Sequence, residues 1–305
     1  MKINKSVLRR ETVLLLAFPF FVIIMFFLWI CPVFVRKRLE KFSGKLYYKY
    51  GHKARQTALD NLQLAYNNVL DRTQTEQMAK EVFTNVAGAL LDFFTTVYIK
   101  KPKKYFKMVK VTGQEHLEQA YQKGKGVICL IPHLSSWELS AVTPPMLGYK
   151  TVAASKPIKG YLIQKSMVWF RKRRGMVNFE RGGSYRQLVE KLKQGNCLIL
   201  MIDQDTKVKS CYVNFFGKKA YTPLGASRLA FDTGAAIVPM AMTRTDIGSY
   251  RFDIQPELPL IHTDNKEEDL IVNTQNQTAA MENFIRKTPN QWVWMHRRFK
   301  TQPQS

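Results

Sequence analysis

A chain of 305 residues suffices for one large domain or two ordinary ones, and a content of 46% hydrophobic and 12% aromatic residues excludes a disordered chain. Cys31, Cys129, Cys197 and Cys211 are too sparse for a disulfide scaffold and lack C-x-x-C spacing, which argues against a zinc site built from them and fits a reducing compartment. The formal net charge of +24 points to a polyanionic partner: nucleic acid, an anionic membrane face, or phosphorylated or acidic substrates.

Residues 12–35 carry no charge, and 13–30 are almost wholly Leu, Ile, Val, Phe, Ala and Met. About 20 apolar residues span a bilayer core, so the stretch predicts a transmembrane anchor over about 13–31, with Pro19 tolerable inside it. A cleaved signal peptide is the rival, since Arg9 and Arg10 make an n-region. The stretch Trp29-Ile30-Cys31-Pro32-Val33 offers no small residues for cleavage, and Ile30 suits a lipoprotein signal poorly. Lys2, Lys5, Arg9 and Arg10 precede the span. The heavier flank of Arg36, Lys37, Arg38, Lys41, Lys45, Lys49, Lys53 and Arg55 follows it and predicts a cytoplasmic location for the rest. That flank also suits anionic headgroups, at roughly 1 kcal/mol per basic residue.

Residues 40–98 read as helical: Leu59, Leu62 and Tyr66 recur on one side, and Val82, Val86, Leu90 and Phe93-Phe94 continue the pattern. The basic run 100–104, broken by Pro102, marks a boundary. Strands then alternate with helices. Strands are expected at 108–111, 126–131, 151–154, 176–179, 197–202, 212–216, 236–242 and 251–255. Helices are expected at 114–123, 135–147, 160–174, 184–194, 222–231 and 267–286. Continuous apolar strands between helices predict an α/β fold with a mostly parallel sheet flanked by helices. Three parts follow: 1–35 with the anchor, a helical membrane-proximal region over 36–104, and an α/β catalytic domain over 105–305.

The chain has no G-x-x-x-x-G-K-[ST], H-E-x-x-H or G-x-S-x-G motif, so nucleotide hydrolysis, zinc proteolysis and α/β-hydrolase chemistry lose their usual support. Of the histidines, only His133 sits where a buried strand runs out, the place where α/β sheets put their sites. Around it runs Ile131-Pro132-His133-Leu134-Ser135-Ser136-Trp137-Glu138. With His133 in the loop and Ser135 capping the helix, Glu138 falls in the first turn and can reach back to the imidazole, fixing one ring nitrogen and raising the basicity of the other. Ser135-x-x-Glu138 equally fits a capping box with no catalytic meaning.

Arg181-Gly182-Gly183-Ser184 leads two glycines into a helix and suits a phosphate or oxyanion, or is an ordinary helix start. Asp203-Gln204-Asp205 follows an apolar strand; its spacing is too generic for a metal site and suits support of the His133 loop. The clusters Arg171-Lys172-Arg173-Arg174 and Arg297-Arg298-Phe299-Lys300 read as solvated faces. No recognisable nucleic-acid module accompanies them, and beside an anchor lipid phosphates or an acidic carrier protein are the better partners.

From roughly residue 50 onward the chain resembles the late acyltransferases of lipid A biosynthesis, the lauroyl/myristoyl group within the lysophospholipid and glycerol-phosphate acyltransferase-like class. The resemblance is carried by the H-x-x-x-x-E block from His133 to Glu138, by Asp203-Gln204, by Phe215-Phe216-Gly217 followed by Thr222, and by the tail Trp294-Met295-His296-Arg297-Arg298-Phe299-Lys300-Thr301. It implies an acyltransferase without cofactor or metal, on the cytoplasmic side of a bacterial inner membrane. The donor it implies is an acyl carrier protein thioester, and the acceptor a hydroxyl of a phosphorylated glycolipid, a lipid A precursor. Transfer would be direct, with no acyl-enzyme. By matching position His133 is the general base and Glu138 its orienting partner, while Arg181, with Gly182 and Gly183, meets substrate or the developing oxyanion. Asp203 matches a family acid on the substrate side with no fixed role. The same class includes enzymes acting on glycerophospholipids, aminolipids or glycolipids. Those using glycerol-phosphate usually carry Asp where this chain has Glu138. A non-catalytic membrane scaffold retaining the fold is the alternative from another class.

Overall fold

A computed structural model of the chain describes residues 5–67, 69–158, 160–180 and 184–303. Four helices come first: α1 (Lys5–Ile30), α2 (Val33–Tyr50), α3 (His52–Tyr66) and α4 (Arg72–Thr96). Pro32 separates α1 from α2, because it fixes its own φ and pushes the residue before it out of helical geometry. α4 opens on a capping box in which the Asp71 carboxylate accepts from Gln74 N–H and the Gln74 amide oxygen accepts from Asp71 N–H. α1 packs against α4 and α8 and leaves Phe20, Ile24 and Phe27 exposed.

The span expected over about 13–31 thus forms a helix. Among the described residues, however, no helix is long and apolar enough to cross a membrane. Within that span the side chains of Leu14, Leu15, Phe18, Phe21 and Met25 lie outside the described residues.

A short α5 (Pro102–Tyr105) leads into β1 (Val109–Thr112), α6 (Gln114–Gln122), β2 (Val127–Leu130), α7 (Trp137–Met146) and β3 (Thr151–Ser155). Next come α8 (Tyr161–Lys172), β4 (Met176–Glu180), α9 (Tyr185–Lys193) and β5 (Cys197–Leu200). The chain ends with β6 (Ser210–Phe215), β7 (Lys218–Pro223), α10 (Gly225–Thr233), β8 (Ala236–Asp246), β9 (Ser249–Ile254), α11 (Lys266–Lys287) and a 3-10 turn, Pro289–Gln291. Seven strands form one sheet in the order β1-β9-β8-β2-β5-β3-β4. Five of them, β8, β2, β5, β3 and β4, run parallel; β9 returns antiparallel to β8, and β1 lies parallel to β9.

Alternation along β2 shows why its sequence is apolar throughout. Val127, Cys129 and Ile131 enter one core, with Leu139 and Val142 of α7, while Ile128 and Leu130 enter the other, with Ala226 and Leu229 of α10. A third core joins Leu62 of α3 and Phe83 of α4 to Phe215, Trp292 and Trp294.

The structure departs from the sequence expectation at residues 218–223, which form β7 where a helix was expected from 222. The turn between β6 and β7 consists of Phe216 (φ 52°) and Gly217 (φ 73°), closed by the pair Phe215 and Lys218. Two consecutive left-handed residues give the turn whose twist suits a tight hairpin, which accounts for the Phe-Phe-Gly signature.

Candidate active site

The chain leaves β2 toward the face covered by α7 and leaves β5 toward the face covered by α10, so the segments after these two neighbouring strands meet at their carboxyl ends, where α/β folds place their sites. The β2–β8 register ends at Leu130 and Pro239, and a proline brings no N–H to carry the ladder further. His133 follows β2 and Asp203 follows β5, so residues 70 apart in sequence meet.

The His133 Nδ1 lies 2.7 Å from Asp203 Oδ1, and Asp203 Oδ2 accepts from the His133 backbone N–H at 2.6 Å and from Trp292 Nε1–H at 2.8 Å. An ionised carboxylate only accepts, so Nδ1 carries the proton and Nε2 keeps its lone pair. Asp203 is fully buried, whereas the His133 side chain is one-fifth exposed. Burial opposes charge on both groups. At His133 the Asp203 charge, its hydrogen bond and the more distant Glu138 outweigh burial and hold the imidazole above its ordinary value. At Asp203 the facing imidazole and the three N–H donors push the carboxyl down to about 2.

The orienting position that the sequence assigned to Glu138 is therefore held by Asp203. Asp203, read from sequence both as support of the His133 loop and as a substrate-side acid, is buried with both oxygens hydrogen-bonded to His133 or Trp292. Ser136, not Ser135, precedes α7, with no side-chain cap, so the capping box does not form. Ser135 adopts φ 51°, and its buried Oγ finds no hydrogen-bond partner among the described residues. A left-handed serine beside the histidine is the kind of local strain that a surrounding structure must enforce.

Glu138 instead takes Arg171 in a two-point pair, Nη2 to Oε1 at 2.6 Å and Nε to Oε2 at 3.1 Å. The other guanidinium nitrogen, Nη1, donates to Ser155 Oγ at 2.8 Å and Asn178 Oδ1 at 2.6 Å. This network ties the start of α7 to the last turn of α8, the end of β3 and the middle of β4.

Sequence reasoning placed Arg171 on a solvated face, and two further members of the basic clusters are also internal. Arg174 is buried over the Phe170 ring and donates to the Thr96 carbonyl, with burial lowering its pKa to about 10. Arg298 is buried and donates to the Tyr221 carbonyl and Thr222 Oγ1. Nothing in local composition separates such arginines from exposed neighbours; their aromatic companions Phe170 and Phe299 are the one available hint. Asp205 accepts from Thr301 N–H and pairs with Lys300 at 3.5 Å, which binds the tail to the loop after β5. Arg181, Gly182 and Gly183 lie outside the described residues.

An imidazole steadied by a buried carboxylate, at the carboxyl end of a parallel sheet, is an arrangement chemically able to activate a hydroxyl or water as a general base. Residues 4–301 match the family described as bacterial lipid A biosynthesis acyltransferase, and the chain belongs to that family and is an O-acyltransferase. It is 27% identical over 282 residues to a lipid A biosynthesis acyltransferase of Haemophilus influenzae, covering 91% of this chain and 86% of that one. The lipid A biosynthesis lauroyltransferase of Escherichia coli is 24% identical over 280 residues, 90% and 88% of the two chains. The palmitoleoyltransferase of the same organism is 28% identical over 237 residues, 75% and 74%.

Proposed function

We propose that this protein transfers a fatty acyl chain from an acyl carrier protein thioester to a hydroxyl of a lipid A precursor, with His133 as general base and Asp203 as its orienting partner. The single observation that carries the assignment is the 2.7 Å contact between His133 Nδ1 and the buried Asp203, which leaves Nε2 as the acceptor of a proton. Family membership supplies the acyl-transfer reaction and the class of acceptor.

The step balances without an acyl-enzyme. Nε2 takes the proton of the acceptor hydroxyl as its oxygen attacks the thioester carbonyl. The carbon–sulfur bond then breaks, and the imidazolium returns the proton to the leaving thiolate. The uncapped start of α7, beside the His133 loop, supplies backbone N–H groups for the oxyanion, and Arg181 is a further donor. Glu138 acts through Arg171, holding the start of α7 against β3 and β4 rather than the imidazole.

The reaction takes place at the cytoplasmic face of a bacterial inner membrane. There α1, about 39 Å long at ~1.5 Å per residue, serves as the anchor, and residues 36–104 form the membrane-proximal part ahead of an α/β catalytic part. The exposed side of α2, where Phe34, Phe42, Leu46 and Tyr50 alternate with Lys41, Lys45 and Lys49, suits anionic lipids. Mass spectrometry of lipid A from cells with and without the gene tests this reading. Loss of one acyl chain is the expected result, and an unchanged lipid A profile rejects it.

A further inference from the structure

The C-terminal segment 291–293 lies against the His133 loop as a short antiparallel partner. Ser135 N–H donates to the Gln291 carbonyl at 2.8 Å, Val293 N–H donates to the His133 carbonyl at 3.2 Å, and Leu134 and Trp292 form the bridge pair. The segment is referenced to the sheet through the Gln291 side chain, whose Oε1 accepts from Arg244 N–H at 2.8 Å while its amide donates to the Arg244 carbonyl at 2.9 Å. Trp292 is fully buried edge-to-face against Phe215 and Trp294.

We propose that Trp292 is a positioning residue, whose indole N–H fixes the rotation of the Asp203 carboxylate and so aims Oδ1 at His133 Nδ1. The inference rests on His133 being the base of the proposed transfer. Three donors reach Asp203, and two of them, the backbone N–H and Nδ1–H of His133, belong to the residue being oriented and move with it. The third, Trp292 Nε1–H, comes from a buried edge-to-face aromatic cluster tied to β8 through Gln291. It alone among the three comes from outside His133, on a segment fixed to β8 through Gln291 as well as to the His133 loop. Without it the carboxylate can turn with the loop, and the imidazole loses the constraint that keeps its proton on Nδ1. The other charged or titratable groups near this pair are Glu138 from α7, Asp205 from the same loop, and His296 and Arg298 from the tail. None of them bonds to either Asp203 oxygen among the described residues.

The test uses the full chain with Trp292→Phe and, as an isostere that deletes only the N–H, β-(3-benzothienyl)alanine at position 292. Nitrogen NMR of the neutral His133 ring, assigned by its loss in His133→Gln, reads the tautomer directly. The wild type is expected to show the Nδ1–H form alone. Both substituted proteins are expected to show a mixture with the Nε2–H form, and kcat is expected to fall roughly ten- to a hundredfold with KM for donor and acceptor within about twofold. Retention of the pure Nδ1–H form in either folded variant overturns the proposal, and so does a wild-type kcat. Absence of acyl transfer by the wild type would count against the proposed function instead, and the tautomer measurement would still decide the role of Trp292.

Discussion

At His133 two large effects oppose each other: burial disfavours a charged ring, and a carboxylate 2.7 Å away favours it. The carboxylate prevails, and the sign of the pH dependence follows. A general base must be neutral to act, so with His133 raised above its ordinary 6.5 the acid limb of kcat/KM lies above pH 6.5. Asp203→Asn removes the negative charge and should move that limb to lower pH while lowering kcat by roughly 10²–10⁴-fold; an unmoved limb would show that another group titrates. The same pair bears on stability. Asp203 is pushed from its ordinary 3.8 to about 2, so its contribution is present above pH ~4 and is lost as pH falls through about 2. Glu138 is bound to Arg171, not to the imidazole, so Glu138→Gln should reduce kcat less than Asp203→Asn and leave the acid limb displaced by less. A larger loss from Glu138→Gln would place Glu138 back on the reaction coordinate.

Between elements, a buried polar junction joins the N-terminal helices to the sheet. Arg244 of β8 makes a two-point pair with Glu40 of α2 at 2.7 and 3.0 Å and donates through Nε to Asp92 of α4 at 2.7 Å. Asp92 also accepts from Tyr250 OH and Gly248 N–H. Removing one partner of such a network leaves buried charge uncompensated, so Arg244→Met should destabilise the fold by roughly 3–5 kcal/mol in equilibrium chemical denaturation. A loss below ~1 kcal/mol would mean that water replaces the guanidinium. None of these partners is visible in the sequence, because they lie between 152 and 204 residues apart. The strands were legible for the opposite reason: runs such as Val127-Ile128-Cys129-Leu130 state locally that both faces are covered. β7 was not legible, since Lys218 and Lys219 at its start are exposed and its identity depends on pairing with β6 across a two-residue turn. His133 was legible from its place after a buried strand. Asp203 was legible only as support for the His133 loop; its contact with the imidazole was not, because the two meet through the adjacency of β2 and β5.

For the molecule as a whole, a net charge of +24 on an enzyme whose proposed donor rides on an acidic carrier sets an electrostatic expectation. Attraction between exposed charges weakens once the Debye length shrinks to a few ångströms. The KM for the carrier thioester should therefore rise several-fold between about 0.05 and 0.5 M salt while kcat changes little; a flat KM would remove charge from the docking step. The exposed apolar side of α1 and the basic, aromatic side of α2 are the surfaces that the proposed membrane location would use. These features converge on the free Nε2 of His133. The most direct measurement is single-turnover acyl transfer from carrier thioester to lipid A precursor by wild type and His133→Ala, with circular dichroism and melting temperature matched. The expected result is a variant that stays folded and transfers at least ~10²-fold more slowly. A folded His133→Ala protein transferring at the wild-type rate would contradict the assignment of His133 as the base.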